Sequence, residues 1–154
     1  MISSRSLVSS CVRLSGLSLV ALVALACRDF NEIRWTVRRA TIEQPPPVGS
    51  RVDVPQTIVA GQAAIVTVHT FGEDDCVRGA GTNSTVSGAT AVIEPFDSVI
   101  VQMPSNMACL SLPADIRHSV SLVFSKAGPA TIRIVGWSDV QQAEVTVERA
   151  IAVQ

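Results

Sequence analysis

The sequence predicts an all-β chain: one antiparallel β-sandwich of about seven to nine strands, preceded by a short N-terminal helix. Three observations carry this. Six of the nine Leu fall within the first 26 residues, whereas residues 27–154 hold 19 Val and 10 Ile. β-branched side chains are stiff at χ1 and pack well on a pleated surface, so the two parts obey different rules. Past Ala26, apolar residues alternate with polar ones, and Gly, Pro, Asn and Asp punctuate the chain at about 8–12-residue spacing.

The N-terminal segment comes first. Arg5 and Arg13 are the only charges before Arg28, and residues 14–26 form an uncharged, mostly apolar run ending in small residues. A basic start, an apolar stretch of about 7–15 residues and a small-residue cleavage site describe an export signal over 1–26. A permanent transmembrane helix is the competing reading. It needs about 20 apolar residues, and extending this run upstream would bury Arg13 and several Ser.

Residues 27–33 form a short polar tether, and the domain occupies 34–154. Within it, 34–43 mixes Thr, Val, Trp and Ile with charge and is expected to be an edge strand, with Arg38 and Arg39 in solvent. Pro45, Pro46 and Pro47 then interrupt any ladder as either a linker or a stiff crossover; 34–48 is read as an edge strand plus a proline-rich crossover. Short strands are expected at 51–54 and 57–60. Residues 63–71 form the strongest strand, partly apolar on both faces and therefore central. A long polar loop follows over 72–84. Further strands are expected at 89–93, 98–103, 117–124, 130–137 and 143–153, with a loop at 104–113 and a turn at 126–129.

The junction at residue 27 is specific. Ala24-Leu25-Ala26 fits an ordinary A-x-A cleavage site, but Cys27 follows it directly. The run Val23-Ala24-Leu25-Ala26-Cys27 resembles the lipobox of bacterial lipoproteins, with Ala24 where Leu is commoner. The resemblance covers the first 27 residues. It implies diacylglycerol on the Cys27 sulfur and an acyl chain on its amine, with the membrane as partner. Two or three acyl chains, at ~0.8 kcal/mol per buried CH₂, hold stably where one does not. Arg28 rather than Asp after the cysteine implies the outer membrane in a two-membrane bacterium. The segments 59–68 (VAGQAAIVTV) and 131–136 (TIRIVG) look like the Ig-like domains of bacterial envelope proteins. That likeness implies an Ig-like sandwich. The chain departs from antibody domains in that Cys76 and Cys109 fall in expected loops, with no Trp between them.

Cysteine parity agrees with acylation. Cys11 leaves with the signal; if Cys27 carries lipid, Cys76 and Cys109 remain and can pair in an oxidising compartment. A zinc site made of those two cysteines with His69 and His118 is the alternative, but the short C-x₂₋₄-C spacing of zinc sites is missing. No metal or cofactor is expected. Glu73, Asp74 and Asp75 are carboxylates that a hard cation favours, although their spacing is not that of an EF-hand loop. The bland reading is a solvated loop. Asn83-Ser84-Thr85 forms a glycosylation sequon, of little meaning in a bacterium. Trp35 and Trp137 suit core or edge packing better than sugar stacking, since aromatics are only 4% of the chain.

Formal charge is −1 overall and −3 beyond residue 26, which leaves no basic field for nucleic acid. No G-x-S-x-G, H-E-x-x-H or P-loop motif is present. Three readings follow. The first is a lipid-anchored, non-enzymatic envelope protein whose domain binds an envelope protein or glycan, or serves structurally. The second is a small exported hydrolase or metal-dependent enzyme, which needs His69, His118 or the 73–75 acids in one pocket. The third is an assembly accessory that pairs through an exposed, uncharged edge near 51–54 or the C-terminus.

Overall fold

The computed structural model describes residues 32–44 and 50–154. The signal segment, Cys27, most of the tether and the prolines at 45–47 lie outside the described residues. Nine strands appear in order: β1 (Arg34–Arg39), β2 (Thr41–Glu43), β3 (Val52–Asp53), β4 (Ala63–Gly72), β5 (Arg78–Ser87), β6 (Thr90–Gln102), β7 (Ala114–Val123), β8 (Gly128–Ser138) and β9 (Ala143–Val153). Among the described residues there is no helix, and hence none long and apolar enough to cross a membrane.

The strands form two sheets. The larger holds β1, β2, β5, β6, β8 and β9; the smaller has the order β3-β4-β7. β4 is central, as its two partly apolar faces require. The alternation along 63–72 sends Ala64, Val66, Val68 and Thr70 inward and Ile65, Thr67 and His69 outward. Val66, Val68, Leu122 and Phe124 of the small-sheet side pack against Ile42, Ile93, Ile132 and Ile134 of the large one. Their burial is the main favourable term, at roughly 25 cal/mol per Å² of apolar surface.

Pairing is antiparallel except in two places: β6 with β8, and β2 with β8, are parallel. The reason lies at Ala40. β6 and β8 pair only over Ala91–Ile93 and neighbouring Thr90, then separate, and the chain from β1 to β2 enters the gap. Ala40 N donates to Pro95 O (3.0 Å), and Ala40 O accepts from Trp137 N (2.9 Å). The expected single edge strand over 34–43 is therefore two strands that change partner.

Three other expectations are corrected. The loop expected over 72–84 is confined to 73–77, because Arg78–Ser87 forms β5 against β6. Its hairpin closes through Gly88-Ala89, with Gly88 at φ +61°, the conformation that a two-residue type II′ turn requires. The two strands expected at 89–93 and 98–103 are one, β6, which runs through Pro95. A proline fits there because the β8 ladder ends at Ile93 and the β1 ladder begins at Phe96, so its missing N–H falls where the neighbour changes. The segment 57–60 makes only the bridge Ile58–Val153. Gln154 N donates to Ile58 O (2.8 Å) and Gly61 N to Phe124 O (2.7 Å), so this segment ties the ends of both sheets together.

Gly136 shows how tight the insertion is. A Cβ there would lie 2.5 Å from Ile42 Cγ2 and 2.9 Å from Ala40 O. Overpacking of this kind typically costs about 1–3 kcal/mol. Gly136→Ala is expected to lower stability by about that amount in denaturant titration; an unchanged midpoint would show that the inserted segment is loosely held.

Candidate functional site

The candidate site is built where β4 stops and β7 starts, at the register pair Gly72–Ala114. The loops 73–77 and 103–113 extend from here and are joined by the Cys76–Cys109 disulfide, with Cα atoms 5.6 Å apart. That separation is the ordinary span of a bridge. It closes a segment with a sequence separation of 33, worth about 3–4 kcal/mol in the chain-entropy account.

The acidic run serves this junction. Asp75 Oδ1 accepts from Leu110 N (2.8 Å), while Asp75 N donates to Leu110 O (3.2 Å). Asp74 Oδ1 accepts from Cys76 N (3.0 Å), and Glu73 lies 3.9 Å from Arg38. Asp74 and Asp75 are thus engaged with backbone N–H groups of the two loops, whereas Glu73 is exposed. Asp74 does approach both cysteine sulfurs, but those sulfurs bond each other and offer no thiolate. The zinc arrangement with His69 and His118 is not formed.

Two clefts meet at Arg38. One, of about 180 Å³, is lined by Arg38, Glu73, Asp74, Val99, Met103 and the disulfide. The other, shallower and about 400 Å³, is lined by Arg38, Arg39, Glu73, Trp137, Asp139 and Gln142. Arg39 is fixed by Glu94 and Glu144, both at 2.9 Å. Arg38 is freer: its contact with Glu73 is long and exposed, and such pairs contribute little. An indole face beside a guanidinium, an amide and carboxylates can stack on a flat apolar surface while bonding its polar rim. Trp137 therefore lies on the outer face of the large sheet rather than in the core. Trp35 is also half-exposed, on β1, with the Arg78 guanidinium 5.1 Å above its ring.

The histidines occupy opposite faces of the small sheet. His118 on β7 points inward. Its Nε2 donates to Asp97 Oδ1 (2.9 Å) and lies 3.1 Å from Thr70 Oγ1, whose hydroxyl donates to Asp97 Oδ2 (3.0 Å); its Nδ1 lies 3.0 Å from Thr82 Oγ1. His69 on β4 points outward yet is fully buried, because Asp53 and Asp115 flank it. Its Nε2 lies 2.9 Å from Asp53 Oδ2 and its Nδ1 2.7 Å from Asp115 Oδ1. Arg51 lies against both acids, 3.9 Å from Asp53 and 3.5 Å from Asp115. The structure does not bring His69, His118 and the 73–75 acids into one pocket.

The edges differ in chemistry. β3, near the expected docking edge at 51–54, is two residues long and locked in the His69 network. β9 carries Glu144, Glu148 and Arg149, and its end is bridged to Ile58. β5 pairs with β6 alone, is exposed everywhere except Thr82, and carries no charge after Arg78. Sequence reasoning missed this edge, reading its Gly, Ser and Thr as a loop.

Comparison with family models, with characterised proteins and with solved structures found no match.

The hydrogen bond from His69 holds the Asp53 carboxyl below the ordinary aspartate range; partial desolvation opposes this, and the charges of His69, Arg51 and Arg117 add to it. A carboxyl lowered on folding stabilises the fold fully above its unfolded value, near 3.8, and loses that contribution as pH falls through its lower folded value. The denaturation midpoint of Asp53→Asn is expected to trail the parent near neutral pH and to converge with it in acid. A gap that stays constant with pH would contradict the assignment.

Proposed function

We propose that the chain is a lipid-anchored protein of a bacterial cell envelope, exported by its first 26 residues and acylated at Cys27. Its β-sandwich, on this reading Ig-like, is a non-catalytic binding or structural module. Cysteine accounting is the single observation that carries this. Cys76 and Cys109 bond each other, as suits an oxidising compartment, and Cys11 lies within the signal. Cys27, after Ala24-Leu25-Ala26, is the cysteine left over, at the position a lipobox uses. Arg28 supports the outer membrane, with the domain facing the periplasm or the cell surface.

The binding surface on this reading is the pair of clefts at Arg38. Trp137 offers a stacking face, while Arg38, Glu73, Asp139 and Gln142 offer polar partners, which suits an envelope glycan or a polar protein segment. Both histidines are buried and neither lines the clefts at Arg38, which supports binding over hydrolysis. A second reading, an assembly accessory, draws support from the uncharged open edge of β5, where an extended strand from another protein can add to the sheet.

Labelling with a palmitate analogue in a bacterial host tests the anchor. The parent chain is expected to take up label and to sediment with membranes, and Cys27→Ala to lose the label and turn soluble. If Cys27→Ala fractionates with membranes as before, the anchor is wrong.

A further inference from the structure

We propose that the disulfide-joined end of the sandwich rests on the bilayer, with Met107, Leu110 and Leu112 at the boundary between headgroups and acyl chains. The inference rests on acylation of Cys27 and adds which face of the domain meets the lipid.

The exposed apolar residues are unevenly placed. Ile33, Val101, Met107, Leu110 and Leu112 are all exposed. Arg34, next to Ile33, is the register partner of Gln102, next to Val101, so the start of β1 lies beside the end of β6. The 103–113 loop continues directly from β6. Exposed apolar side chains gathered at one end of a domain suit a partner that covers them. Residues 98–114 contain no charged side chain, so none would lose its hydration where the loop meets the acyl boundary.

The loop is also tied down at two adjacent residues. Leu110 has its N–H and its carbonyl both bonded to Asp75, and the neighbouring Cys109 is bridged to Cys76. Its side chain nonetheless stands 59% exposed. A fixed backbone with an outward leucine presents apolar surface without losing loop entropy on contact.

Chain length makes lipid the occupant within reach. Six peptide steps separate Cys27 from Ile33, a reach of at most about 22 Å. An acylated Cys27 sits in the membrane, so the Ile33 end cannot lie farther from it than that. β6 has 13 residues, so its other end, with the Gly88 hairpin, is about 40 Å away. Of the two ends of the large sheet, the apolar one is the end that the tether holds within about 22 Å of Cys27.

The test uses the full lipidated chain in vesicles of phosphatidylethanolamine and phosphatidylglycerol carrying bromine at shallow acyl positions. Trp35→Phe and Trp137→Phe remove the native indoles, and a single reporter is placed by Leu110→Trp, or by Leu112→Trp as a second variant. Val86→Trp, in the hairpin-end half of β5, is the control. Both loop reporters are expected to shift to shorter wavelength and lose emission to the brominated lipid, while the control does neither. Vesicle-bound protein with unquenched loop reporters would overturn the docking and leave the anchor standing. A blue shift without quenching would mean that another protein or a second copy covers the loop, and would also overturn it. Protein that fails to float with vesicles would remove the anchor and this inference together.

Discussion

A carboxylate lies between the two sheets, and this end of the domain is arranged around it. Asp97 of β6 is 2% exposed. Burying a carboxylate is costly unless its oxygens are met by donors. Here the donors come from the facing sheet: His118 of β7 on one oxygen and Thr70 of β4 on the other. Thr82 of β5 meets the far side of the His118 ring. Four strands must therefore be in register at once. That demand makes the junction specific where an apolar one would tolerate slippage. Among the described residues no buried side-chain polar atom lacks a partner, so the demand is met.

The network divides the interior. Toward Ile58 and Phe124 the core is apolar and closed by the bonds between residues 58–61, Gln154 and Phe124. Toward the loops it is polar, and each member leads outward within a few residues. Thr70 leads through Gly72 into the acidic loop. Asp97 is the register partner of Arg38, which lines both clefts, and β6 continues from it into the apolar loop. The disulfide and the Asp75–Leu110 bonds then hold the two loops to each other. The positions of the clefts and of the exposed leucines thus follow from the register that Asp97 imposes.

Much of the scaffold was legible in the sequence. β4, β7, β8 and β9 bury one face or both, and their period-2 patterns showed it. The disulfide was legible from cysteine parity once Cys27 is read as acylated and Cys11 as part of a signal, since Cys76 and Cys109 are then the pair that remains. β5 was invisible: with both faces near solvent it has no hydrophobic period, and it includes two glycines. One of these, Gly79, passes so close to β7 that a Cβ would lie 3.3 Å from Ile116 Cγ2 and 3.4 Å from His118 Cε1, so a residue read as loop punctuation serves packing. Pro95 read as a strand end because its exception, a change of neighbour on one side, arises from β1, more than fifty residues earlier. The partners of His69 and His118 were equally hidden, since Asp53, Asp97 and Asp115 are brought to them by pairing between distant strands.

The account depends on the Asp97–His118 contact acting as one coupled unit across the sheets. A double-mutant cycle with Asp97→Ala, His118→Ala and the double variant, read by equilibrium denaturation, measures that coupling directly. The account predicts a coupling energy of about 1–3 kcal/mol, the double variant being destabilised less than the two single changes combined. Single-variant effects that add to within about 0.5 kcal/mol would contradict it, and would mean that the two sheets are held by apolar packing alone.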